Sequence, residues 1–154
     1  DFEVESEVDL EALPALLNAG CPEGLWVCRA YEAVRPVREL SFVAADVTML
    51  YDCGVPRGAA DAVRALFLRK EVLIQKKTKR KALADVDLIP LIRSFELEEE
   101  EGQLCIHTVV SAQNPGLNPA LLTAAVEKEL PQYAPDFSLV RRTGILDAEG
   151  KLFC

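Results

Sequence analysis

The sequence predicts an α+β protein: a ferredoxin-like sandwich, mainly antiparallel sheet with helices on one face, preceded by a second, incomplete unit of the same type. Three observations predict it. The order from Asp46 onward is strand, helix, several antiparallel strands, helix, strand. Two pairs of strand-like runs are joined by short polar connections, as hairpins are. The helical stretches are short and amphipathic, as helices resting on one face of a sheet must be.

The opening "DFEVESEV" alternates Phe2, Val4 and Val8 with Asp1, Glu3, Glu5 and Glu7, so it reads as a strand with one buried and one acidic face. "DLEALPALLNAG" follows, with Leu10, Leu13, Leu16 and Leu17 at helical spacing, Asp9 as the N-cap and Gly20 after the last turn. Pro14 is expected to shorten or kink that helix. "GLWVCRAYEA" reads as a second strand. Residues 1–35 are thus expected to form a strand-helix-strand portion of an N-terminal unit, and residues 40–154 the ferredoxin-like unit, within one compact domain.

Beyond Pro36, "ELSFVAA" is expected to make a helical turn and "DVTMLYD" a strand. "GVPRG" turns the chain into an Ala-rich helix over 58–70, with Ala62, Val63, Leu66 and Phe67 facing inward. "EVLIQKKT" and "ALADVDLI" form a hairpin around the connection Lys79 to Lys81. "SFELEEE" and "QLCIHTVVS" form another around Gly102. In "LNPALLTAAVEKEL", Asn118 and Pro119 take the N-cap and N1 positions of the last helix. "DFSLVRRTGIL" closes the unit as a strand.

A chain of 154 residues can bury on the order of 70% of its unfolded surface. Half of its residues are apolar and 27% are charged, which excludes a disordered protein. No apolar run approaches the roughly 20 residues of a membrane span, and no signal-peptide pattern opens the chain, so a cytoplasmic location is expected. The first residues read as the interior of a larger protein. Cys21, Cys28, Cys53, Cys105 and Cys154 are widely spaced and never in a CxxC pair, so reduced, packed thiols are expected.

His107 is the sole histidine, so any triad or histidine metal site must pass through it. It shares a strand face with Cys105 and Val109, and two ligands at i and i+2 fall short of a zinc site. A half-buried or edge histidine is the plainer reading. Asp85 and Asp87 share a face and could hold Mg2+ or exchange protons, but cross-strand pairing with Lys77 or Lys79 explains them without chemistry. "CGVPRG" lacks the glycine pattern of a phosphate loop. No cofactor or metal is called for, and no catalytic constellation assembles, so an enzyme is not expected.

The net charge is −8, yet Lys76, Lys77, Lys79, Arg80 and Lys81 crowd into six positions. Cations so close repel one another, and a phosphate backbone is the partner that offsets this through counterion release. Arg141 and Arg142 would extend the patch if the last strand lies alongside. Lysines that merely protect a hairpin edge, or pair with acidic strand faces, are the competing account. Neither stretch carries interleaved aromatics for base stacking.

In order along the chain, "DFEVESEVDLEALPALLNAGCPEGLWV", "KKTKRKALADVDLIPLI" and "RRTG" resemble the bacterial radical-SAM-linked family of unknown function. That family occurs as a C-terminal extension of, or neighbour to, cobalamin-binding radical S-adenosylmethionine proteins, in some bacteria beside a ribonuclease of the E/G type. The resemblance spans nearly the whole chain. Its most specific parts are "LLNAGCPEGLWV" and the lysine-rich hairpin with Asp85, Asp87 and Pro90. The family's preceding "GFNPHPK"-like segment does not occur in this sequence, nor does the partner's CxxxCxxC motif. The resemblance implies an accessory domain with a radical SAM protein as partner. RNA binding through the hairpin, presenting the RNA for modification, is the first function expected. Docking on the radical SAM protein without nucleic acid is the alternative.

Overall fold

A computed structural model describes residues 4–33, 35–77 and 83–153, with the backbone alone at 76, 77, 83 and 84. The chain divides into two compact units, Asp1–Glu39 together with Cys154, and Leu40–Phe153.

The first unit holds one helix, α1 (Leu13–Asn18), and among its described residues no strand. Both runs expected as strands there, around Val4–Val8 and Leu25–Ala30, are irregular. Alternating polarity makes a strand only where another strand's edge accepts its backbone bonds. The Asp9 carboxylate caps the turn leading into α1, accepting from the N–H groups of Glu11 at 2.9 Å and Ala12 at 3.4 Å. Pro14 sits in the first turn of α1, so it starts the helix rather than kinking it. Asn18 then clasps Val27 at two points, its Oδ1 accepting from Val27 N at 2.6 Å and its Nδ2 donating to Val27 O at 3.0 Å.

The second unit runs β1 (Phe42–Leu50), α2 (Ala59–Phe67), β2 (Leu73–Lys77), β3 (Leu83–Asp87), β4 (Ile92–Glu100), β5 (Gln103–Ser111), α3 (Ala120–Glu129) and β6 (Phe137–Leu146). Strands β4, β5, β1 and β6 form, in that order, a four-stranded antiparallel sheet, and β2 pairs with β3 in a separate hairpin. Without the hairpin, the order β1–α2–β4–β5–α3–β6 is the βαββαβ arrangement expected of a ferredoxin-like α+β unit. The hairpin is an insertion between α2 and β4.

Alternation along the strands sends one face of the sheet into the core. Val47, Met49, Leu104, Ile106 and Val110 are fully buried there, together with Val63 and Leu66 of α2 and Leu122 and Val126 of α3. Phe67 and Phe95 close the α2 end with ring centroids 4.9 Å apart. Strand β1 begins at Phe42, earlier than the expected Asp46, because both neighbours pair with it along its whole length. The expected helical turn is displaced to a 3-10 turn at Val37–Glu39. Helix α2 stops at Phe67, short of the predicted Lys70. A two-residue turn at Glu101 and Gly102 joins β4 to β5, and Gly102 at φ 75° supplies the left-handed conformation that turn needs.

Candidate functional site

Two surfaces carry chemistry, and the fold keeps them on separate sheets. The first is the sheet face opposite the core. Register sets its side chains in rows across β4, β5, β1 and β6: Glu96, His107, Asp46 and Arg141 in one, Glu98, Cys105, Thr48 and Leu139 in the next, Glu100, Gln103, Leu50 and Phe137 in the third. His107 therefore lies on an interior strand, not at an edge.

Its Nδ1 is 2.7 Å from Asp46 Oδ1 and its Nε2 is 3.5 Å from Glu98 Oε2, with the imidazole 40% exposed. The Asp46 hydrogen bond, followed by the charges of Asp46 and Glu98, lifts the His107 pKa above the ordinary histidine value against an opposing desolvation. Cys105 lies 3.8 Å from Thr48 Oγ1. Burial foremost, then the nearby carboxylates, push its thiol pKa up, while the Thr48 contact pulls it down. A thiol held protonated is a poor nucleophile. Among the described residues no cluster of three or more His, Cys, Asp or Glu is arranged to hold a metal ion. The row is thus an ionic, hydrogen-bonded surface.

The Asp46–His107 pair escapes sequence reasoning because register between strands 61 residues apart is invisible in either strand alone. The one signal was a lone carboxylate inside the apolar run "FVAADVTML".

The second surface is the β2–β3 hairpin. Lys76 and Lys77 stand on β2, in register with Ala84 and Leu83; Lys79, Arg80 and Lys81 lie outside the described residues. The hairpin's feet are fixed firmly. Val72 and Ile74 are buried in the core, Leu88 N donates to Val72 O at 3.0 Å, and Lys128 of α3 donates to Leu73 O at 2.8 Å. Asp87, expected to pair with a lysine, instead accepts at Oδ1 from the backbone N–H groups of Val72 at 2.9 Å and Ile89 at 3.2 Å. It is a local clamp that satisfies two donors where the hairpin meets the body. Asp85 stands opposite Gln75, and with Leu73, Ile74, Ala124 and Lys128 the two line a shallow groove against α3.

Arg141 and Arg142 sit on β6, which pairs with β1 and not with the hairpin. Register puts Arg141 opposite Asp46 and Arg142 opposite Ala45, on alternate faces of the sheet. Both are exposed. The "CGVPRG" stretch is a turn ending at Gly58, which precedes α2 with φ 83°.

No helix among the described residues is long and apolar enough to cross a membrane. Comparison with curated proteins and with solved structures gave no match in either. A family model does match residues 1–119, through the first unit and the second as far as β5. This chain therefore belongs to the family described as "Uncharacterized protein conserved in bacteria (DUF2344)".

Proposed function

We propose that this domain is an accessory binding module that contacts RNA phosphates through the basic hairpin and presents that RNA to the radical SAM protein its sequence resemblance implies. The observation that carries the reading is the hairpin's separation from the rest of the charge. The acidic residues Glu96, Glu98, Glu100 and Asp46 lie on the four-stranded sheet, whereas Lys76 and Lys77 stand on β2 of an inserted two-stranded ribbon and Lys79, Arg80 and Lys81 follow them in the sequence before β3. An acidic body repels phosphate non-specifically, so binding is confined to the ribbon. Buried feet at Val72 and Ile74 reduce the ordering entropy that a loose basic loop would lose on binding.

Fluorescence anisotropy of a labelled single-stranded RNA against the full chain, over a range of salt, tests this. Each phosphate contact adds about 0.7 to the log–log salt slope for single strands. Replacing Lys76, Lys77, Lys79, Arg80 and Lys81 by serine should lower the slope by roughly 3.5 units, whereas replacing Arg141 and Arg142, on the four-stranded sheet, should leave it nearly unchanged. Unchanged affinity and slope in the hairpin variant would refute the proposal.

A further inference from the structure

The sheet face opposite the core presents two unlike flanks. Along β4 stand Glu96, Glu98 and Glu100; along β6 stand Phe137 and Leu139, 59% and 52% exposed, followed by Arg141. Of these carboxylates, Glu98 meets His107 and Glu100 accepts a hydrogen bond from Gln103, while Glu96 has no hydrogen-bond or ion-pair partner among the described residues. Large exposed apolar side chains beside a charged row mark a contact surface better than either does alone.

Geometry decides what could cover it. Three strand spacings of about 4.8 Å separate the acidic flank from the apolar one by roughly 14 Å, slightly more than the 10–12 Å width of an α-helix with its side chains. Alternate residues on a strand are about 6.8 Å apart, close to the ~6 Å rise between residues i and i+4 of a helix. The Glu96, Glu98, Glu100 series thus matches a stripe of cations at i, i+4 and i+8. Phe137 and Leu139 match an apolar pair at i and i+4 on the opposite margin of the same helix face. Nucleic acid does not suit a face with this excess of carboxylates.

We propose that this face docks a basic amphipathic helix of a partner protein, lying along the strands with its cations against Glu96, Glu98 and Glu100 and its apolar stripe against Phe137 and Leu139. His107, held by Asp46, forms the polar floor between the flanks.

The test uses the full chain and a synthetic helical peptide of about 16 residues with lysine at every fourth position along one margin of a face and leucine along the opposite margin, beside a scrambled peptide of the same composition. Binding is followed by backbone amide shifts and by titration. The ordered peptide should bind at least tenfold more tightly than the scrambled one and shift amides of β4, β5, β1 and β6. Glu96→Gln/Glu98→Gln/Glu100→Gln and Phe137→Ser/Leu139→Ser should each weaken it about tenfold, as expected for three exposed ion pairs or two apolar contacts. The hairpin serine variant should bind the peptide unchanged, which separates this surface from the RNA reading. Equal binding of the two peptides, or indifference to both sets of substitutions, overturns the proposal. So does sedimentation showing a dimer that the Glu→Gln variant dissociates, since the face would then serve a second copy.

Discussion

Replacing Asp87 by alanine tests how the hairpin is held. The carboxylate satisfies two backbone donors, Val72 N and Ile89 N. Val72 is only 3% exposed, so water cannot readily replace the lost acceptor, whereas Ile89 is partly exposed and can be rehydrated. A hydrogen bond to a charged group contributes roughly 1.5–3 kcal/mol, and an orphaned buried donor costs about 1–3. One bond lost in full and one in part gives a destabilisation of about 2–3 kcal/mol. In a chain of this size that is a fall in Tm of about 4–12 °C. Asp87→Asn keeps the Oδ1 acceptor and should cost less than about 1 kcal/mol. Chemical denaturation of the three proteins, at low salt and in about 1 M NaCl, where the Debye length is about 3 Å, separates this clamp from an exposed ion pair. The reasoning is refuted if the alanine variant loses less than about 0.5 kcal/mol, or if its loss disappears at high salt as a screened surface pair would.

Other outcomes follow from the same geometry. The raised pKa of His107 means its imidazolium stabilises the fold fully below the unfolded value of about 6.5, and that contribution is lost as pH rises through the folded value. A Tm profile across this window should therefore flatten in His107→Gln and Asp46→Asn, and a histidine titration by NMR should move down in the latter. Ile106→Ala, at a fully buried position on β5, should cost about 2–5 kcal/mol in denaturant unfolding. Gly102→Ala forces a side chain into φ 75° and should cost about 1–2 kcal/mol, with Gly102→Asn milder. A thiol reagent should label exposed Cys53 well before Cys105, which is half-buried and whose thiol pKa is raised; equal rates would contradict the placement of Cys105.

Much of the second unit was legible because its signals are local. Periodicity identified α2 and α3; the cap of the latter falls at Pro119, one residue later than expected, and Asn118 Oδ1 accepts from Ala120 N at 3.2 Å just ahead of it. Both hairpins announced themselves through polar connections between apolar runs. The first unit was not legible, because "DFEVESEV" and "GLWVCRAYEA" carry strand-like alternation without a partner strand in the described structure. The candidate sites divide along the same line. A run of lysines is visible in one dimension, but the row from Glu96 through His107 and Asp46 to Arg141 exists only once three registers are fixed. Adjacent arginines likewise look like one patch in sequence, yet strand alternation assigns Arg141 and Arg142 to opposite faces.

The insertion between α2 and β4 leaves and re-enters the globule at neighbouring points, since Val72 and Leu88 are bonded to each other at its base. Growth or shortening of the ribbon beyond Gln75 and Asp85 would therefore leave the sandwich's strand order and interior untouched. The length and sequence of that end can diverge under selection while the scaffold stays constant, as a tool bit is exchanged in a fixed handle.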